Sequence, residues 1–165
     1  MSGDTDPTRD AVEQAEEVYR TAARELLEVL DDTIRGWIVR SLDSRLPGDW
    51  SRARRDALRG DIADVAEQIH AAVMPRLRDL LTTDVARQSA GPLGLLRSCV
   101  GPANRLLDEL GVSRPERDPV TASMFPDDPH DLGPANFDDV DARLHDVGLV
   151  WGAAKAHVVL TRHRH

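Results

Sequence analysis

The chain has 165 residues, 41% hydrophobic and 30% charged, with a formal net charge of −8. That balance fits one globular domain and excludes a disordered chain, while the acidic excess argues against a general nucleic-acid footprint, which would be basic. Aromatics at 4% leave the core to Leu, Val, Ile and Ala, a mixture that favours packed helices over a β-sandwich.

The first element opens at Asp6-Pro7, an acceptor side chain followed by proline at the first helical position. From Val12 through Ala15, Tyr19, Ala22, Leu26, Val29, Thr33 and Trp37, apolar residues recur at intervals of three and four. Leu30, Ile34 and Ile38 widen that stripe beyond a coiled-coil seam. The pattern predicts a helix over 8–46 that ends before Pro47-Gly48 and kinks near Gly36. Residues 1–7 are expected to be flexible. A second helix is predicted over 49–83, starting near Asp49 or Ser51, with apolar positions at Leu58, Ile62, Val65, Ile69, Val73, Leu77 and Leu80. Pro75 removes a backbone donor inside this pattern and predicts a kink or break near Met74. Leu93 to Leu110, punctuated by Gly91-Pro92 and Gly101-Pro102, reads as two short helices, the second stopped by Gly111.

Residues 112–136 hold five prolines, several aspartates and few large apolar residues, Met124 and Phe125 among them. They read as a long irregular connection, of the kind that is functional, wrapped on its own core, or disordered. Helices are then expected within 137–162: a short one near Phe137 to Leu144 and a last one over about 147–161. Charge falls in blocks. Ten acids face three arginines in residues 1–32, seven arginines face three acids in 33–60, and eight aspartates face one arginine in 118–146. Opposite blocks of this kind can pair within the fold.

The most informative segment is Val147 to Leu160, whose only polar residues are Lys155 and His157. At ~100° per residue, Leu144, Trp151 and Val158 line one face and Leu149, Ala153 and Leu160 the opposite one. A helix apolar on all sides is expected to be the central helix of the domain or a subunit interface. Gly148, Gly152 and Ala156 fall four apart and let another backbone come close. Lys155 lies one turn from Trp151, where it is expected to rest as a cation over the indole or to pair with an aspartate, and less simply to act as a buried base. His157 reads as a core or boundary residue.

Other constellations carry less. Glu13/Glu16, Glu25/Glu28 and Asp61/Asp64 resemble, loosely, the paired acidic motifs of all-α nucleotide pyrophosphohydrolases, but most of these carboxylates point away from the apolar stripes. Glu67-x-x-His70 matches half of a di-iron motif and has no second copy. Asp127, Asp128, His130 and Asp131 cluster hard oxygen ligands without the EF-hand pattern, and aspartates beside prolines are ordinarily turn formers. Phe125 could anchor Ala122 to Leu132 as a docking peptide, or staple that loop to its own core. Arg52, Arg54, Arg55 and Arg59 form a basic cluster with Trp50 at its edge. His163 and His165 at the end of the chain are weak transition-metal ligands.

Cys99 is the single cysteine, so no internal disulfide forms, and its apolar neighbours predict a buried thiol. The first ten residues lack the apolar core of a signal peptide, and no run reaches the ~18–20 apolar residues of a membrane span. A reducing cytoplasm is the expected location. Arginine replaces lysine at all but Lys155, the mark of GC-rich coding in a bacterial genome.

The expected fold is therefore all-α, an irregular bundle of four to six helices in one domain, with a long helical hairpin (8–46 and 49–83) and a Pro/Asp-rich loop crossing its surface. The expected function is a non-enzymatic protein-interaction, regulatory or scaffold role through helix–helix contacts, without a cofactor. The partner would be another protein or a second copy, and the contact residues Gly148, Trp151, Gly152, Lys155, Ala156 and Phe125. The alternatives are a metal-dependent hydrolase using clustered acids, with Asp127, Asp128, His130 and Asp131 as metal candidates, and a nucleic-acid factor using the Arg52–Arg59 face.

Overall fold

Asp6 caps the first helix: its carboxylate accepts the Thr8 N–H at 3.0 Å, and Pro7 occupies the first helical turn. In the computed structural model, which describes residues 6–164, this helix (α1, Pro7–Arg45) runs 39 residues, ~58 Å at 1.5 Å per residue. It is unbroken through Gly36, and stops where Leu46 turns extended ahead of Pro47. The flexible segment expected over 1–7 lies outside the described residues for 1–5, whereas Asp6 and Pro7 belong to the capped start of α1.

Ser51 caps α2 (Arg52–Ala57) by accepting the Arg54 N–H, and after the single residue Leu58 the chain continues as α3 (Arg59–Thr82). Pro75 does not break α3. The carbonyl its ring deprives of a partner is that of Ala71, and both residues lie on the exposed side, where water can replace the lost bond. A 3-10 turn over Val85–Arg87 leads to α4 (Pro92–Ser98) and α5 (Gly101–Glu109). Gly111, at φ +72°, ends α5 with paired bonds: its own N–H to Asp108 O and the Val112 N–H to Leu107 O, both 3.0 Å. This left-handed stop places Val112 back on the core.

The Pro/Asp-rich segment contains α6 (Pro119–Met124), and α7 (Phe137–Val140) precedes the final helix α8 (Leu144–His163). No strand occurs among the described residues. The all-α class, the long N-terminal helix and the hairpin are as the sequence predicts. The helical segments outnumber the expected set because α2, α6 and α7 are turns of four to six residues set into connections.

Helix α1 is the shared middle of the fold. On one side α3 runs antiparallel to it, joined by a two-pronged Arg35–Glu67 ion pair (2.6 and 3.0 Å) and by Asp31–His70 (2.6 Å). Glu67 and His70 thus spend their side chains on α1, which explains the half di-iron motif. On the other side α8 runs antiparallel to α1, with Trp151 against Tyr19 (ring centroids 6.4 Å) and Arg162 on Glu16 (2.7 Å). Leu26, Leu30, Ile34, Ile38, Leu42, Ile69, Leu77 and Leu144 are sealed from solvent around this middle helix.

Gly148 is where α7 meets α8. A Cβ at this position would lie within 3 Å of three Phe137 ring atoms. Gly148→Ala is therefore expected to destabilise the fold by about 1–3 kcal/mol through overpacking. Gly152→Ala, which meets open space, should be neutral or gain about 0.5–1 kcal/mol of helix propensity. Urea unfolding of the two variants checks the contrast.

Candidate functional site

Helix α8 divides into two apolar faces with different fates. Leu144, Gly148, Trp151, Ala154, Val158 and Thr161 are buried, the stripe that α1 and α7 cover. Opposite them Leu149, Ala153, Ala156 and Leu160 are exposed, spaced four, three and four apart and so confined to a ~60° arc. Leu149 is 61% exposed, Leu160 56% and, on the flanks, Val150 53% and Val159 37%. The sequence led us to expect a helix apolar all round and enclosed on several sides. The composition is as read, but α1 is the one long helix against α8, and a helix covered by one neighbour keeps half its circumference in water. Val18 of α1 extends the apolar surface: it is 56% exposed and shares a shallow groove with Thr21, Glu25 and Val150.

The six expected contact residues are distributed over this geometry. Gly148 and Trp151 face inward, against Phe137 and Tyr19. Gly152 and Ala156 border or lie on the open face, and a Cβ added at Gly152 meets nothing within 4 Å. Lys155 is half-buried with its Nζ 5.2 Å from the centre of the Trp151 ring, the cation–π arrangement its spacing predicts. Phe125 is half-buried beneath the Arg97 guanidinium, 4.7 Å from the ring centre, so it staples its own loop.

The loop of 112–136 is wrapped on the core by a buried polar lock. Asp128 is 3% exposed and its carboxylate accepts from Asn104 Nδ2 (3.0 Å), Leu132 N (2.8 Å) and Gly133 N (2.7 Å). His130 is sealed from solvent. Its N–H donates to Asn104 Oδ1, and its ring Nε2 lies 2.9 Å from Asp108 Oδ1. Arg114 and then His130 hold the Asp108 carboxyl below the usual carboxylate range. Arg97 and Arg45 donate to the carbonyls of Pro134 and Asp131, both at 2.8 Å. Asp131 itself sits at φ +54° where the chain reverses. Asp128 therefore serves the loop's own turn, and Arg45 of the arginine-rich block holds the aspartate-rich one through a backbone carbonyl.

Among the described residues no three His, Cys, Asp or Glu side chains are grouped to hold a metal ion. His165 lies outside the described residues. Glu13 pairs with Arg9 and Glu16 with Arg162, while Glu25, Glu28, Asp61 and Asp64 are exposed. In the basic cluster Arg54 stacks on Trp50 (3.4 Å), Arg55 donates to the Pro47 carbonyl, and Arg59 pairs with Asp56 (2.7 Å); Arg52 is exposed. Two of its four arginines thus seal the turn between α1 and α2, and Arg59 ties α2 to the start of α3. Cys99 is half-buried, and its Sγ accepts from Arg76 at 3.3 Å.

A cleft of about 410 Å³ lies between α1, the end of α3 and α8, floored by Ala23, Leu27, Leu81, Val85 and Val158. Its rim charges are largely consumed among themselves: Arg20 holds Glu17, and Arg162 bridges Glu16 and both oxygens of Asp84. The Arg162 guanidinium, followed by the Ala86 N–H, lowers the Asp84 carboxyl from 3.8 to about 2. Sequence reading missed this three-way tie and the Asn104–Asp128–His130 lock, because isolated polar residues far apart in the chain carry no spacing signal.

No helix of the described residues is long and apolar enough to cross a membrane. Two outcomes follow for the polar ties. Asp128→Ala leaves three donors without their acceptor and is expected to cost about 2–3 kcal/mol, with loss of amide protection across 127–133 in hydrogen exchange. Because the folded Asp84 carboxyl titrates below its unfolded value, its contribution is present above pH 3.8 and lost as pH falls towards about 2. Arg162→Ala should flatten stability against pH in that window, as followed by acid titration of circular dichroism. Compared with protein-family models, with curated proteins and with solved structures, the chain matches none.

Proposed function

We propose that this protein acts by binding another protein chain through helix–helix contacts, and that the outer face of α8, extended by Val18 of α1, is the contact surface. One observation carries the reading: Leu149, Ala153, Ala156 and Leu160 keep a coiled-coil spacing on a face that is exposed. Scattered apolar residues on a surface need no explanation, whereas a continuous, regularly spaced apolar seam has a free-energy cost in water that a partner helix removes. Small residues at the middle of the seam allow a partner backbone to approach closely, and Gly152 at its border leaves room for an incoming side chain.

The reading is supported by how the other polar and apolar features are used. Trp151, Lys155, Phe125, Asp128 and His130 are engaged inside the chain, and of the exposed apolar residues the α8 face forms the longest run, longer than the pair Val120 and Met124 of α6. The test is site-specific photo-crosslinking in the native host, with a benzophenone side chain at 149 or 160 and a control on the opposite side of the molecule at 59. Covalent adducts to a protein from 149 and 160 but not from 59 are expected. No adduct from either α8 position would sink the proposal.

A further inference from the structure

Resting on that reading, we infer that the occupant of the α8 face is a second copy of this chain, packed antiparallel about a two-fold axis beside the peptide joining Ala154 and Lys155. The exposed seam has the order Leu149, Ala153, Ala156, Leu160. Reversed about that midpoint, it maps Leu149 onto Leu160 and Ala153 onto Ala156. A two-fold interface requires a patch that is complementary to itself, and this seam meets the requirement in side-chain size as well as in spacing. Alanine faces alanine at the axis, where the backbones are closest, and leucine faces leucine at either end.

The charges choose the same direction. Asp146 and Arg164 lie on one flank of the seam, both ~60° from Leu149, and both are exposed. In the antiparallel arrangement Asp146 falls beside Arg164 of the second copy, and the reverse contact repeats across the axis. Val18, Thr21 and Glu25 of α1 border that flank through their groove with Val150, and Asp32 lies two turns further along the same face of α1. The acids Glu25 and Asp32 therefore accompany the N-terminal half of α8. This is the half beside which the second copy sets its basic end, His163 and Arg164. A parallel pair would instead stack Asp146 on Asp146 and Arg164 on Arg164. Antiparallel α8 helices also align their macrodipoles favourably.

A stable interface needs roughly 800 Å² from each partner, more than a seam of three turns provides. The α1 strip around Val18, which borders the seam through its groove with Val150, adds to that contact area. Tyr19 and Trp151 are buried between α1 and α8 within each copy, away from the exposed seam, so assembly leaves the fold of each copy unchanged.

The test uses the full chain with Cys99→Ser, carrying either Leu149→Cys or Leu160→Cys, both at exposed positions. In the antiparallel pair residue 149 lies ~16 Å along the axis from its own counterpart, beyond the ~4–7 Å between Cα atoms that a disulfide spans. A covalent dimer is therefore expected on mild oxidation of the two variants mixed, and from neither variant alone. In sedimentation velocity the unsubstituted chain should show twice the 18.2 kDa chain mass, with Leu149→Glu/Leu160→Glu returning to the single mass at unchanged helix content. Disulfides within either single variant would overturn the antiparallel pair. A single-chain mass with no mixed disulfide would overturn self-association. Photo-crosslinks from 149 and 160 to a different protein would then leave the interaction face standing, and their absence would remove both.

Discussion

The fold depends on α1 being covered from two sides. A helix of 39 residues with an apolar stripe this wide cannot be satisfied by one neighbour. The short turn at Pro47 returns α3 along one flank, but the chain must then travel the length of the molecule to bring α8 along the other. The route of α4, α5 and the Pro/Asp-rich loop follows from that requirement. Tyr19 shows the arrangement at one point: its hydroxyl takes a hydrogen bond from Gln88, beyond α3, while its ring meets Trp151 of α8.

Because α3 and α8 are both committed to α1, neither covers the other's far side. For α3 the outer side is polar, with exposed Asp61, Asp64, Gln68, Arg76 and Asp79 facing water. For α8 the outer side is apolar. The asymmetry cannot come from the needs of the monomer fold, since the same architecture solves the same problem with charged residues on α3. The exposed seam is therefore a property of α8's own sequence.

Much of this was legible in the residues. The cap at Asp6-Pro7, the stop at Gly111 and the stripes of α1 and α3 follow from local rules acting within a few residues, and the structure repeats them. The two faces of α8 were also readable: Leu149, Ala153 and Leu160 opposite Leu144, Trp151 and Val158. What periodicity could not tell was that one face lacks a cover, because coverage depends on how many long helices reach that position. Pro75 illustrates a second limit. The rule that proline breaks helices assumes a costly unpaired carbonyl, and the cost shrinks where that carbonyl faces solvent. The loop lock is a third. Asn104, Asp128 and His130 meet only after the chain has folded back by more than twenty residues, and of the aspartates that were candidates for metal chemistry Asp128 is consumed as an acceptor for backbone N–H groups.

The electrostatics of the chain follow the same division between internal use and surface. The formal charge of −8 is not spread evenly. Arg35, Arg45, Arg97 and Arg162 are occupied within the fold, and this leaves an acidic outer strip on α1 beside a helix that begins acidic and ends basic. Such a surface repels most like-charged proteins and favours a partner whose own polarity is reversed. The proposed contact requires the α8 face to be covered when the protein works. The most direct measurement is the rate of thiol labelling at Leu160→Cys, in a Cys99→Ser background, compared between intact cells of the native host and the same chain purified and diluted. Strong protection in the cell and rapid labelling on dilution are expected. Equal rates in both settings would contradict the proposed contact.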